Sequence, residues 1–147
     1  MKLHCTAVDY KTPWNMYSCA SRVVSYLTGR KDINITRQVM HWRIHNHKWS
    51  RHEARHSTTF MYDYEIRFLL RRWLRNTRII VPRKQMMVHA LPQVLKSHEY
   101  ALVMVPDHVM IIHNERIYDV HHTNGTRIEN CCDWHNAKVL WYQRLKE

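Results

Sequence analysis

The stretch Tyr100-Ala-Leu-Val-Met-Val105-Pro106-Asp107-His108-Val-Met-Ile-Ile-His113-Asn114-Glu115-Arg116-Ile-Tyr-Asp119-Val120 carries most of the information about the fold. Tyr100 to Val105 is rich in β-forming side chains, and Pro106-Asp107 breaks the run. Val109 to Ile112 and Arg116 to Val120 then flank Asn114-Glu115, which reads as a hairpin. A two-residue turn at Asn114-Glu115 pairs His113 with Arg116 and sets His108 opposite His121. Strand faces alternate, so His108 and Asp119 then project from one side as diagonal neighbours.

Downstream of this stretch, Asn124-Gly125 is a further turn signal, and Lys138 to Tyr142 reads as a closing strand. Upstream, Arg78 to Val81 reads as a short strand and Leu91 to Lys96 as a short helix opening at a proline. The first half has a different period. From Asn15 to Thr28, Ala20, Val23, Val24 and Leu27 recur at helical spacing, with Asn15 or Ser18 as N-cap and Gly29 as the C′ glycine. Asp32 is expected to cap a second helix containing Ile35, Val39, Trp42 and Ile44. A third, from Met61 to Asn76, puts Tyr62, Ile66, Leu69, Leu70 and Trp73 on one side and Arg67, Arg71, Arg72 and Arg75 on the other. Helices followed by an antiparallel sheet predict an α+β fold. The length of 147 residues fits one domain over 1–147.

Composition narrows the function classes. Six Trp and eight Tyr within 45% hydrophobic residues exclude general disorder. Only two Gly are present, and neither a dinucleotide fingerprint nor a P-loop occurs. No apolar run reaches the ~18 residues of a membrane span. The leading Met1-Lys-Leu-His-Cys-Thr6 lacks a signal-peptide core, so a soluble cytoplasmic chain is expected. Twenty-three Lys and Arg against twelve acids give a net charge of +11, which favours anionic partners. Cys5, Cys19, Cys131 and Cys132 form no C-x-x-C pair and are expected to stay reduced; adjacent cysteines also strain a mutual disulfide.

Cys19 falls in the first turn of the best-defined helix, where unpaired N–H groups and the helix dipole favour a thiolate. A thiolate needs a base and an orienting group. The hairpin offers His108 as the base and Asp119 to hold its tautomer, with His121 as a rival base and His122 expected to face away. Cys19-Ala-Ser-Arg-Val-Val-Ser-Tyr-Leu-Thr-Gly-Arg30 resembles the C-x-x-R-A-[IV]-[AS]-x-x-T-G-K segment of small papain-like cysteine peptidase-like proteins of tailed bacteriophages. Glu99 to Asp119 is similar to a second segment of that family, and the order Cys, His, Asp also matches. Glu115-Arg116 and Glu99 stand where the family has glycine.

The resemblance implies a papain-like fold, with helices packed on the sheet and Cys19 in the cleft between them. It implies a thiol-dependent hydrolase or acyl transferase, with Cys19, His108 and Asp119 as the catalytic trio and no cofactor. The substrate would be a protein or peptide-like compound in the cytoplasm of an infected cell. Peptidase, amidase, deconjugating enzyme and acyltransferase all use this trio. Papain-like enzymes often place Asn or Gln ahead of the nucleophile as an oxyanion donor; Asn15 is the nearest such residue, or simply an N-cap, and the Cys19 backbone N–H is the other donor.

Two other patterns compete for attention. His52-Glu-Ala-Arg-His56 matches the zinc motif H-E-x-x-H, but its neighbours are basic and polar where a zincin helix is apolar, so no metal is expected. The same region clusters His41, His45, His47, His52 and His56 with Arg43, Lys48, Arg51, Arg55, Trp42 and Trp49. Basic residues interleaved with aromatics suit phosphates and stacked bases. Arg43, Lys48, Arg51 and Arg55 are therefore candidate nucleic-acid contacts. The alternative function is a non-catalytic, basic host-takeover protein that binds nucleic acid or an acidic host protein; the bland reading of the cluster is a solvated basic loop. If Cys19 is the activated thiol, it should alkylate faster than Cys5, Cys131 or Cys132 near pH 6. Mass spectrometry after limited iodoacetamide treatment measures this, and equal labelling of all four would refute it.

Overall fold

Residues 3, 19–56, 63–70 and 78–145 are described by the computed structural model. They belong to two units, one within residues 2–71 and one within residues 72–147. The first is helical. Its elements are α1 (Cys19–Thr28), α2 (Asp32–His47), α3 (Arg51–His56) and α4 (Asp63–Leu70). Ala20, Val23, Val24 and Leu27 are buried along one stripe of α1, as their spacing predicts. Gly29 closes α1 with φ of 73°, and its N–H donates to the Ser25 carbonyl. Residues 15–18, including both expected N-caps, lie outside the described residues. Lys31, with extended backbone, takes the N-cap position of α2, and Asp32 is the first helical residue instead of the cap.

The helical unit holds a charge pair that the sequence does not advertise. Arg43, expected on a basic surface, is buried. Its Nε and Nη2 donate to Glu65 Oε2 and Oε1 at 2.5 and 2.7 Å, and Nη1 donates to the Ala54 carbonyl at 3.2 Å. The guanidinium also lies over the Trp49 ring, 4.8 Å from its centroid. One side chain thereby ties α2, α3 and α4 together, which corrects its assignment as a nucleic-acid contact. Arg22 of α1 is likewise buried, against the Tyr26 ring.

The second unit is built on a six-stranded antiparallel sheet. Its strands are β1 (Ile79–Ile80), β2 (Tyr100–Val105), β3 (His108–His113), β4 (Arg116–Tyr118), β5 (Thr126–Arg127) and β6 (Trp141–Leu145), in the order β1-β6-β2-β3-β4-β5. The α+β class follows from the sequence, with helices before sheet. Every β2 residue after Tyr100, and every β3 residue before His113, is buried, so both faces of the sheet centre are covered. One face packs Ala101, Val103, Val105, Met110, Ile112 and Ile117 against Val88, Leu91, Ile128 and Cys131.

Two boundaries shift from expectation. The short helix is a 3₁₀ segment, Val88–Gln93, with Pro92 inside it. Val88 and Leu91 are three apart and both buried, the spacing at which 3₁₀ side chains eclipse. The closing strand starts at Trp141, because Lys138 makes only an isolated bridge to Met87 and Leu140 is exposed. Glu65→Leu leaves the buried Arg43 charge unmatched and should cost about 3–5 kcal/mol. The double variant Arg43→Met/Glu65→Leu should recover much of that in urea unfolding followed by circular dichroism. A double variant as unstable as the single one would contradict the pairing.

Candidate functional site

The central hairpins fix the site. Pro106-Asp107 joins β2 to β3, with Asp107 at φ of 58°, and His108 is the first residue of β3. Asn114 and Glu115 both take positive φ, 47° and 60°, as a type I′ turn requires. His113 pairs with Arg116, Ile112 with Ile117 and Ile111 with Tyr118. That register carries Asp119 to the face of the sheet on which His108 lies. The two side chains meet: His108 Nε2 lies 2.8 Å from Asp119 Oδ2. His108 is 6% exposed and Asp119 fully buried.

Pairing ends at Tyr118, and the chain turns over Asp119. The His122 N–H donates to the Asp119 carbonyl at 3.3 Å. Asp119 Oδ1 accepts the backbone N–H groups of His121 and His122 at 3.0 and 2.9 Å, an Asx-type turn. The same Oδ1 lies 2.7 Å from His122 Nδ1. His122 therefore faces Asp119 and His121 is exposed, the reverse of what strand alternation predicts. Alternation stops where the strand stops. Gly125, at φ of 81°, completes the loop with its N–H on the His122 carbonyl. A Cβ at Gly125 would lie 2.6 Å from the Tyr118 ring, so no other residue fits without displacement.

Three further residues surround this pair. Trp134 stacks on His108, with ring centroids 4.1 Å apart and planes 7° from parallel. Its backbone N–H donates to the Cys131 carbonyl, as does that of His135. Cys131 Sγ lies 3.5 Å from His122 Nε2. Burial pushes the Cys131 thiol pKa up and the charges of Asp119 and Asp133 add to this; the Trp134 and Asp133 backbone N–H groups oppose it only in part. Burial also pushes the Asp119 carboxyl up, but hydrogen bonds from His108 and His122, and the attraction of both rings, outweigh it. The net shift is downward, so Asp119 is ionised near neutral pH.

Cys19 is the first described residue of α1. Its side chain, all of Asn15 and the side chain of Arg55 lie outside the described residues. Lys48 and Arg51 are exposed. The aromatics near them are already engaged: Trp42 stacks on Phe68 at 4.8 Å and meets His47 edge-on, and Trp49 lies under Arg43. His52-Glu53 falls on the exposed side of α3, whose Glu53 N–H is capped by Ser50 Oγ at 3.1 Å. No group of three His, Cys, Asp or Glu among the described residues is arranged to hold a metal ion. No helix among them is long and apolar enough to cross a membrane.

Sequence reasoning missed Trp134, His122 and Cys131 as members of the cluster. Asp119, whose side chain can accept N–H groups two and three residues on, followed closely by the turn signal Asn124-Gly125, is the available sign of an Asx turn that ends the strand at Tyr118. Nothing local marks Trp134. No family model, curated protein or solved structure matches the chain. Because the folded pKa of Asp119 lies below its ordinary value of 3.8, this carboxylate stabilises the fold above that value. That stabilisation is lost as pH falls through the folded pKa. Asp119→Asn should therefore lower Tm at pH 7 and lower it less near pH 3, as melting curves across pH would show.

Proposed function

We propose that this chain is a thiol-dependent hydrolase or acyl transferase of papain-like fold, with Cys19 as nucleophile, His108 as its base and Asp119 as the orienting group. The observation that carries the reading is the buried His108–Asp119 pair, bonded through Nε2 at 2.8 Å. An ionised carboxylate only accepts, so Nε2 carries the proton and Nδ1 is the ring nitrogen that acts as base. Trp134 adds to this. A stacked indole stabilises an imidazolium, the form His108 takes once it has accepted a thiol proton. Cys19 enters from the sequence, through its place in α1 and the resemblance of its segment to papain-like proteins of tailed phages.

The chemistry has two steps. In the first, His108 Nδ1 takes the thiol proton and the Cys19 sulfur attacks an acyl carbonyl. The developing oxyanion would be met by the Cys19 backbone N–H, with Asn15 as a second donor. The imidazolium returns its proton to the leaving amine or alcohol as the bond to the acyl carbon breaks, leaving a thioester on Cys19. In the second, water or another nucleophile loses a proton to His108 and attacks the thioester, and the sulfur leaves. Water gives hydrolysis; an amine gives acyl transfer. On the phage resemblance, the substrate is a protein or peptide-like compound in the cytoplasm of the infected cell.

The test is a panel of acyl substrates, peptide amides and isopeptides among them, assayed against the variants of the trio. Cys19→Ala should abolish turnover while circular dichroism stays unchanged. His108→Ala should lose nearly as much, and Asp119→Ala less, since orienting a histidine matters less than supplying it. Removing two members together should be little worse than Cys19→Ala alone, as for residues that act as one unit. Turnover that survives both Cys19→Ala and His108→Ala would overturn the reading and favour the non-catalytic one.

A further inference from the structure

We infer that His122 is a positioning residue that acts through Asp119 to fix the tautomer and aim of His108. The inference rests on the catalytic reading of His108, and it extends that reading to a residue outside the trio. The two oxygens of Asp119 are used differently. Oδ2 serves His108, whereas Oδ1 takes three donors: the N–H groups of His121 and His122 and the His122 ring at 2.7 Å. The backbone donors belong to the turn itself. The His122 ring adds a side-chain hold on Oδ1 to these backbone ones. With Oδ1 so held, rotation of the carboxylate is blocked and Oδ2 stays on His108 Nε2.

Cys131 extends the arrangement. The ionised Asp119 only accepts, so His122 Nδ1 carries an N–H, and in the neutral ring Nε2, 3.5 Å from Cys131 Sγ, accepts from the protonated thiol. Hydrogen bonds thus run from the Cys131 thiol through His122 to the carboxylate, and the carboxylate accepts from His108 on its other oxygen. This second Cys-His-Asp series does not make a second nucleophile. Cys131 is only 2% exposed, and its thiol holds its proton more tightly than an ordinary one. The loop that carries His122 is anchored by the Gly125 N–H on the His122 carbonyl, so the ring is delivered by a tight turn.

The experiment uses the full chain and three substitutions, His122→Asn, His122→Gln and His122→Leu. An Asn amide can place its N–H near the position of Nδ1; the Gln amide reaches the position of Nε2, and Leu offers no donor. The first readout is the ¹⁵N NMR spectrum of the His108 ring, assigned by its loss in His108→Gln. The wild type and His122→Asn should show the Nε2–H tautomer, and His122→Gln and His122→Leu a mixture. The second readout is the rate of Cys19 alkylation by iodoacetamide at pH 6. It should fall about tenfold in His122→Leu, as one unit's rise in thiol pKa would cause, and recover in His122→Asn.

An unchanged His108 tautomer in His122→Leu and His122→Gln, with the fold intact by circular dichroism, overturns the inference. If His122→Leu does not fold, the contrast between Asn and Gln decides in the same way. Tautomers that follow the expected order in a wild type whose Cys19 reacts no faster than Cys132 would uphold the role of His122 and sink the catalytic reading. Fast Cys19 alkylation that His122→Leu leaves untouched, with the tautomer unchanged, would do the opposite.

Discussion

A carboxylate with no exposed surface has to be matched by donors, because an unmatched buried charge costs several kcal/mol. Asp119 meets this requirement with two backbone N–H groups and two imidazoles, and much of the sheet unit's local structure follows from collecting them. The chain leaves the sheet after Tyr118, and the N–H groups of His121 and His122 turn back onto Oδ1. The loop then needs a residue without a Cβ at position 125, where the Tyr118 ring passes close by. The type I′ turn at Asn114-Glu115 sets the register that brings His108 to the other oxygen. Net lowering of the Asp119 pKa despite complete burial reflects how fully the donors compensate.

The helical unit solves a related problem by a different route. Glu65 is as deeply buried as Asp119, but its partner is a guanidinium that satisfies both oxygens at once. Such a bidentate pair fixes geometry through two parallel hydrogen bonds. Imidazole partners are different, since a neutral ring offers both a donor and an acceptor nitrogen. The first arrangement suits a structural tie between helices. The second suits a place where a proton moves.

What the sequence made legible were the features governed by local rules. Two-residue turns and strand alternation set the β2–β3–β4 register, and that register alone put His108 and Asp119 on one face. Helical spacing marked the buried stripe of α1, and Gly29 its end. The features it hid depend on contacts between distant segments. Arg43 looked like one more charge in a basic run, because its burial is decided by Glu65, twenty-two residues away. Trp134 reaches His108 across a loop with no periodicity. The orientation of His122 departs from alternation because the ladder ends at Tyr118, four residues before it, and an Asx turn takes over. The segment with H-E-x-x-H forms a short capped helix that leaves His52 and Glu53 exposed, a local pattern with no converging partner among the described residues.

One carboxylate is shared by two imidazoles, and the surroundings of the two rings differ. His108 lies against the face of an indole, which favours its charged form, whereas His122 meets a thiol that donates to its other nitrogen. The carboxylate on Nδ1 and the thiol on Nε2 together hold the His122 ring in one orientation against Oδ1. Burial pushes the Cys131 thiol pKa up, which keeps the thiol protonated and able to donate to that ring. In the proposed chemistry Cys131 is not a second nucleophile; its buried thiol is part of what would hold His122 on Asp119, and through Asp119 keep His108 aimed as a base.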